Sequence, residues 1–566
     1  MPTFRASRPG PGRRARFRFT WIGVAASVVA VLAALPLIYL LVRSAEAGAG
    51  EIVEVVTDRR SLELLLNTTA LAVAVTATSV IIGVPIAWLT ARSDLPMRRV
   101  WLVLTALPLG VPSYIGAFAF IAALGPRGLV QGWLEPLGIE RLPSLYGFAG
   151  AWIVLSLFTY PYVLLTVRSA LLRLDPSQEE ASRTLGRSRL ATFRHVVLPQ
   201  LRPSIVAGGL LVALYTLADF GAVAMLRFDS FTRAIHLQYQ GAFDRSRAAI
   251  LGLMLVAFTI AVLTGELMSR RAAAYHRLHA GSQRRAPVSR LGRWRWPITV
   301  ALALLVLVAL ATPLGVIGIW LNRGVQAGEP LRLTGQLMLN SLRAAGTGAL
   351  FAVIAAWPVA FLSARRPGRF TRGIEAAAWT GYALPGIVVA LSLVFLGTRV
   401  VPSLYQTHWM LTFAYTVLFL PQAVGAIRAS LLQVSPSLED ASRVLGRGPA
   451  TTFRRVLLPL AAPASMAGGA LVFLTIMKEL PATLLLAPTG FPTLATQVWS
   501  STSESMFARG ALPALMLIVL SSIPVVILAA RQDGEGTRTK RGLRSAASTR
   551  GTQDRPEAER STARRG

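Results

Sequence analysis

The chain has 566 residues, of which 53% are hydrophobic and only 15% charged, with a mean hydropathy of +0.54 and a formal net charge of +32. A soluble domain carries about 25% charged residues, so this composition excludes an intrinsically disordered chain and an ordinary soluble enzyme. Cysteine is absent, which removes disulfides, thiolate metal sites and thiol catalysis.

Residues 1–20 carry six Arg and no acid, and an apolar run follows at 21–42. Cleavage at Ala45-Glu46-Ala47 would make this a signal peptide. The run exceeds the roughly 7–15 residues of a signal core, so it reads as a first span. Further runs lie at 64–91, 101–124, 145–167, 203–226 and 248–268, then at 297–321, 338–363, 376–397, 409–427, 461–487 and 510–530. Twelve transmembrane helices are expected, making an all-α membrane protein whose backbone groups bond within each span. Several runs contain proline (Pro85, Pro108, Pro161, Pro358, Pro385), which membrane helices tolerate when neighbours satisfy the freed carbonyl.

With the N-terminus inside, cytoplasmic segments hold 43 of the 58 Lys and Arg, external loops 13, and the spans two, Arg343 and Lys478. Both termini are therefore expected in the cytoplasm. The segment 269–296 has eight Arg and no acid, and is expected to lie against anionic headgroups. The tail 531–566 is polar and expected to be disordered. Nucleic-acid binding is the other use of such charge, but here the charge flanks membrane spans.

Two stretches repeat. Residues 176–209 and 436–469 are identical at 19 of 34 positions without a gap, matching Arg, Gly and Pro as well as apolar residues. Leu-Asn at 66–67 and 339–340, and Ala-Arg at 91–92 and 364–365, echo each other. The expected plan is a basic N-terminus (1–20), an extra span with its external loop (21–60), a first unit (61–268) and the linker (269–296). A second extra span and loop (297–335), a second unit (336–530) and the tail (531–566) complete it. Two equivalent halves imply a pseudo-two-fold arrangement with a pathway between them.

Each repeat lies between the fourth and fifth spans of its set and reads as a short cytoplasmic helical hairpin. Ser177 with Glu180, and Ser437 with Asp440, have capping-box spacing. Pro176 and Pro436 block helix upstream. Gly186 and Gly446 end the first helix in a left-handed position. A second short helix, with Phe193, Val196 and Val197, or Phe453, Val456 and Leu457, is expected to end at Pro199 or Pro459. Ala181 with Leu185, and Ala441 with Leu445, form helically spaced apolar stripes that need a partner surface. Arg183, Arg187 and Arg194 recur as Arg443, Arg447 and Arg454. Two equivalent basic hairpins suit docking of a two-fold partner better than packing on their own helix ends.

The spacing Glu180-Ala181-Ser182, Gly186, Val196, Leu198-Pro199, with its copy Asp440-Ala441-Ser442, Gly446, Val456, Leu458-Pro459, resembles the signature loop of ABC importer permeases of the binding-protein-dependent type. The departures are Ser for the second Ala, Val for Ile, and Asp for Glu in the second copy. The resemblance covers about 60–530. It implies a type-1 importer fold and coupling helices at Glu180, Ala181, Leu185, Gly186, Asp440, Ala441, Leu445 and Gly446. Two separate ATPase subunits would carry ATP and magnesium, and an extracytoplasmic binding protein would deliver substrate. The fused form resembles ferric-iron importer permeases most, with thiamine, polyamine and phosphonate permeases similar. Leu217–Ala222, Phe228–Thr232, Met477–Thr483 and Thr493–Thr496 look like the iron subgroup. A multi-pass protein of the bacterial inner membrane is implied.

The repeat alignment places Asp219 opposite Glu479, each within an apolar run, with Lys478 beside the second. Ionisable groups there usually face a cavity or a partner. These three are candidates for the pathway, or else structural contacts. No catalytic constellation appears. His195, His236, His276, His279 and His408 lack metal-ligand spacing, and no Walker A sequence is present. No cofactor is expected on this chain. An ion-coupled secondary transporter, also duplicated, is the competing class.

Overall fold

The computed structural model describes residues 21–125, 128–138, 142–242, 245–272, 288–328 and 332–553. The basic N-terminus, most of the linker and the last 13 residues lie outside it.

The described chain is helical, with no β-strand among the described residues and one isolated bridge, Ser93 to Ser289. The first half contributes α1 (Trp21–Glu46), α2 (Arg59–Arg92), α3 (Ser113–Leu124), α4 (Phe148–Arg173), α5 (Leu198–Ala218) and α6 (Arg245–Ala272). The second contributes α7 (Gly292–Gln326), α8 (Arg332–Arg365), α9 (Gly386–Arg399), α10 (His408–Gln433), α11 (Leu458–Met477) and α12 (Phe507–Gln553).

Among the described residues eleven helices, against twelve expected, are long and apolar enough to cross a membrane; the ninth, α9, has 14 residues. Proline explains the difference. Pro85, Pro161 and Pro358 sit inside unbroken helices. At Pro108 the third run instead tightens into a 3-10 turn (Leu107–Gly110), then extends through Val111 before α3. At Pro385 the ninth run breaks after Thr380–Ala383, with Leu384 extended before α9. A residue preceding proline is driven out of the helical region, and the extended residue of each break stands there: Val111 before Pro112 and Leu384 before Pro385, whereas Leu107 before Pro108 stays helical.

The helices α2, α4 and α5 pack together, and α8, α10 and α11 repeat the set. Glycine permits close crossings. A Cβ on Gly208 of α5 would lie 2.9 Å from Val163 Cα of α4, and one on Gly468 of α11 would lie 2.7 Å from Ala426 Cβ of α10. The extra spans exchange sides. α1 packs on α8, α9 and α6, while the second part of α7 (Thr312–Gln326) packs on α3 and α12. Tyr39 of α1 donates to the Phe395 carbonyl at 3.2 Å, and Arg399 pairs with Glu46 at 3.1 Å.

Two details stand at the edges of the described chain. The described end of the linker docks on protein: Ser289 N–H donates to Arg92 O at 2.8 Å, and Leu291 N–H to Asp94 at 2.8 Å. Residues 531–553, expected to be disordered, continue α12 as helix, with no proline between Pro524 and Pro556 to stop it.

Candidate functional site

Both hairpins form. The first helix is Ser177–Thr184 in one and Pro436–Val444 in the other. Their caps fall earlier than the expected Ser177 and Ser437. Proline suits a helix start because its missing N–H leaves no orphan donor there. The capping oxygens therefore come from the residue before it. Asp175 accepts from Ser177 N–H at 3.0 Å and from Ser177 Oγ at 2.7 Å. Ser435 Oγ accepts from Ser437 N–H at 3.3 Å. The two bonds from Ser177 hold the Asp175 carboxyl below the usual carboxylate range.

Gly186 (φ +82) and Gly446 (φ +74) end these helices in the left-handed region, with Gly N–H bonded to Arg183 O at 3.0 Å and to Arg443 O at 2.9 Å. Next, Ser182 bonds Thr192 at 3.2 Å and Ser442 bonds Thr452 at 2.9 Å, tying the two arms of each hairpin. Serine in place of the family's second alanine thus has a definite job in both copies. Pro199 and Pro459 do not end the second arm. A π turn (Phe193–Val197, Phe453–Leu457) precedes each, and helix runs on into α5 and α11. The wider turn shifts the hydrogen-bond register where a proline would clash with the preceding turn.

The outward face of each hairpin is bare. Glu180, Ala181, Leu185, Gly186, Asp440, Ala441, Leu445 and Gly446 are all exposed, with Leu185 at 82% and Leu445 at 73%. The inward face is gripped by an arginine that the sequence reading did not select. Arg92, at the end of α2, pairs with Glu179 at 3.4 Å and donates to Leu171 O at 2.8 Å. Arg365, at the end of α8, pairs with Glu439 at 2.6 Å and donates to Val434 O at 2.9 Å. The Ala-Arg echo was the available signal.

The second cluster lies where α5 and α11 stop. Asp219 and Lys478 are the residues at which these helices end, so the ionisable groups sit at a break and not within continuous helix. Asp219 accepts from Ala222 N–H at 3.0 Å and from Ser113 Oγ of α3, and its carbonyl accepts from Thr232 at 2.7 Å. Glu479 accepts from Ala482 N–H at 3.3 Å, and its carbonyl accepts from Thr483 at 2.6 Å. Gly386 opens α9 as Ser113 opens α3; a Cβ there would lie 2.5 Å from Glu479 Oε1, so glycine makes room for the longer acid. Lys478 Nζ crosses to the Leu109 carbonyl, 3.4 Å away, in the broken third span. Among the described residues no group of three His, Asp or Glu could hold a metal ion.

The model of the binding-protein-dependent transport system inner membrane component family matches residues 79–271 and 348–533. An Fe(3+)-transport system permease protein of Haemophilus influenzae is 33% identical over 90% of this chain and 97% of its own length. A putative ferric transport system permease of the same organism is 25% identical over 77% of this chain and 72% of its own length. The sulfate transport system permease CysT of Synechococcus elongatus is 27% identical over 44% of this chain and 88% of its own. A chain of a bacterial ABC transporter importing the polysaccharide alginate aligns at 18% identity and a TM-score of 0.34, over 42% of this chain and 88% of that one.

Proposed function

The chain belongs to the family of binding-protein-dependent transport system inner membrane components, and from that premise we propose that its cargo is ferric iron. It is a membrane-spanning permease of an ABC importer, with both permease units fused in one polypeptide. Membership of this family sets aside the ion-coupled secondary transporter. The observation that carries the iron assignment is likeness along the whole length to an Fe(3+)-transport permease, 97% of which is covered.

In this reading two ATPase subunits, binding ATP and magnesium, dock on the exposed faces around Ala181 and Leu185 and around Ala441 and Leu445. Substrate arrives on a separate extracytoplasmic protein, and the chain itself binds no cofactor. Asp219 and Glu479 face the seam between the halves, where a carboxylate pair offers hard oxygen ligands suited to a passing hard cation. Lys478, bonded across the seam, helps align it.

The test is uptake by the complete importer in proteoliposomes, with cognate ATPase and binding protein. Labelled ferric iron is expected to accumulate with ATP and to stop with vanadate; uptake of thiamine, a polyamine, a phosphonate or sulfate instead overturns the iron assignment. Asp219→Asn and Glu479→Gln keep a side-chain oxygen for the backbone donors and remove charge. They are expected to lower uptake at least fivefold with assembly intact. Unchanged uptake would reduce both acids to helix caps.

A further inference from the structure

The helices α2 and α8 are each 34 residues long, and both carry polar grips at the two ends. At the end away from the hairpins, Asn340 Nδ2 donates to Pro492 O at 2.9 Å and Ser341 Oγ accepts from Leu494 N–H at 2.8 Å. In the first half, Asn67 Nδ2 donates to Asp229 O at 3.3 Å and Thr68 Oγ1 accepts from Phe231 N–H at 3.2 Å. The gripped loops open the short helices Phe231–Leu237 and Leu494–Ser503, capped by Ser230 and Thr493. At the other end, Arg92 and Arg365 hold the hairpins. From Asn67 to Arg92, and from Asn340 to Arg365, the separation is 25 positions in both halves. That is about 38 Å of helix at 1.5 Å per residue.

Apolar packing alone does not require the same polar register at both ends of both helices. We propose that α2 and α8 are transmission struts, joining the external loops after Asp229 and Pro492 to the two cytoplasmic hairpins. Asn67, Thr68, Asn340 and Ser341 are positioning residues at the outer end, and Arg92 and Arg365 at the inner end. The inference rests on the reading above, in which the hairpins meet ATPases and a binding protein docks outside. A continuous helix moves as a unit, and a rigid element gripped at both ends couples the sites it joins. Docking of the loaded binding protein thereby biases the hairpins, and hairpin movement driven by ATP pulls on the external loops. The strut in the second half is the tighter one, with the shorter distance at three of its four contacts. It is expected to carry more of the coupling.

The experiment uses the assembled transporter in nanodiscs and reads ATP hydrolysis without and with the loaded binding protein. Three variants sample the strut. Asn340→Ala with Ser341→Ala opens the outer grip. Arg365→Lys keeps the charge but not the fork that reaches Glu439 and Val434 O together. Leu350→Gly with Ile354→Gly softens α8 at exposed positions that touch neither grip. All three are expected to cut binding-protein stimulation at least fivefold. Basal hydrolysis and binding-protein affinity are expected to persist in the outer-grip and mid-helix variants. Asn67→Ala with Thr68→Val is expected to give a smaller loss. Full stimulation in the outer-grip and mid-helix variants would overturn the proposal and leave the grips as local packing. If Arg365→Lys fails to assemble, the mid-helix variant decides. A wild-type transporter that the binding protein does not stimulate would instead overturn the reading of partners on which the inference rests.

Discussion

Asp175 and Ser435 occupy equivalent places and cap equivalent helices, but only one of them titrates. The Asp175 carboxyl is held low by Ser177, so its folded value lies below its unfolded one. The sign follows from linkage: the cap's contribution is complete above the ordinary carboxylate range and is lost as pH falls through the lowered value. Protection of the Ala181 amide is therefore expected to decline in acid relative to that of Ala441. Taking the ratio of the two exchange rates cancels the intrinsic pH dependence. A ratio that stays flat through the acid range contradicts the assignment, and Asp175→Asn should flatten it. At this scale the sequence was partly legible. The Gly186 and Gly446 stops followed from local residue chemistry alone. The partners of Arg92 and Arg365 did not, because ion pairs reaching across more than 70 positions leave no local pattern. The caps were misplaced by two residues because a capping-box spacing was weighed above the preference of proline for the first turn.

Helices were legible where apolar length alone decides them, and less so where hydrogen-bond bookkeeping does. Five prolines lie in comparable apolar runs, yet α2, α4 and α8 absorb theirs while the third and ninth spans break. A break leaves backbone groups to be satisfied from elsewhere, and in the third span the Leu109 carbonyl accepts from Lys478 of the other half. Close helix crossings obey a similar logic. Gly208 meets backbone of α4, whereas Gly425 of α10 has open space around it. Gly208→Ala is expected to destabilise by about 1–3 kcal/mol through overpacking. Gly425→Ala should be neutral or stabilise by up to about 1 kcal/mol through helix propensity. Thermal unfolding of the detergent-solubilised protein checks both, and equal midpoints for the two variants would contradict the crossing geometry.

For the molecule as a whole, the duplication announced the two halves that the family model matches. What remained hidden was the exchange of α1 and α7. Both are apolar on nearly every face, so neither sequence marks the half it will join. If α1 belongs structurally to the second half, separately expressed pieces cut within 273–287 are expected to reassociate and co-purify. Removing residues 21–57 from the first piece should lower the yield of the second at least threefold. Equal recovery with and without α1 would show that the exchange adds little to holding the halves together. The exchange also sets an order of events in time. α1 ends at Glu46, and its packing partner α8 begins at Arg332, 286 positions later. At about 5–20 residues per second, the first helix made waits roughly a quarter of a minute to a minute before its seat exists. A helix can wait in a bilayer because its own backbone bonds are already closed. Throughout that interval the face destined for α8 and α9 is covered by lipid, so seating α1 on the second half begins with the displacement of lipid from the helix inserted first.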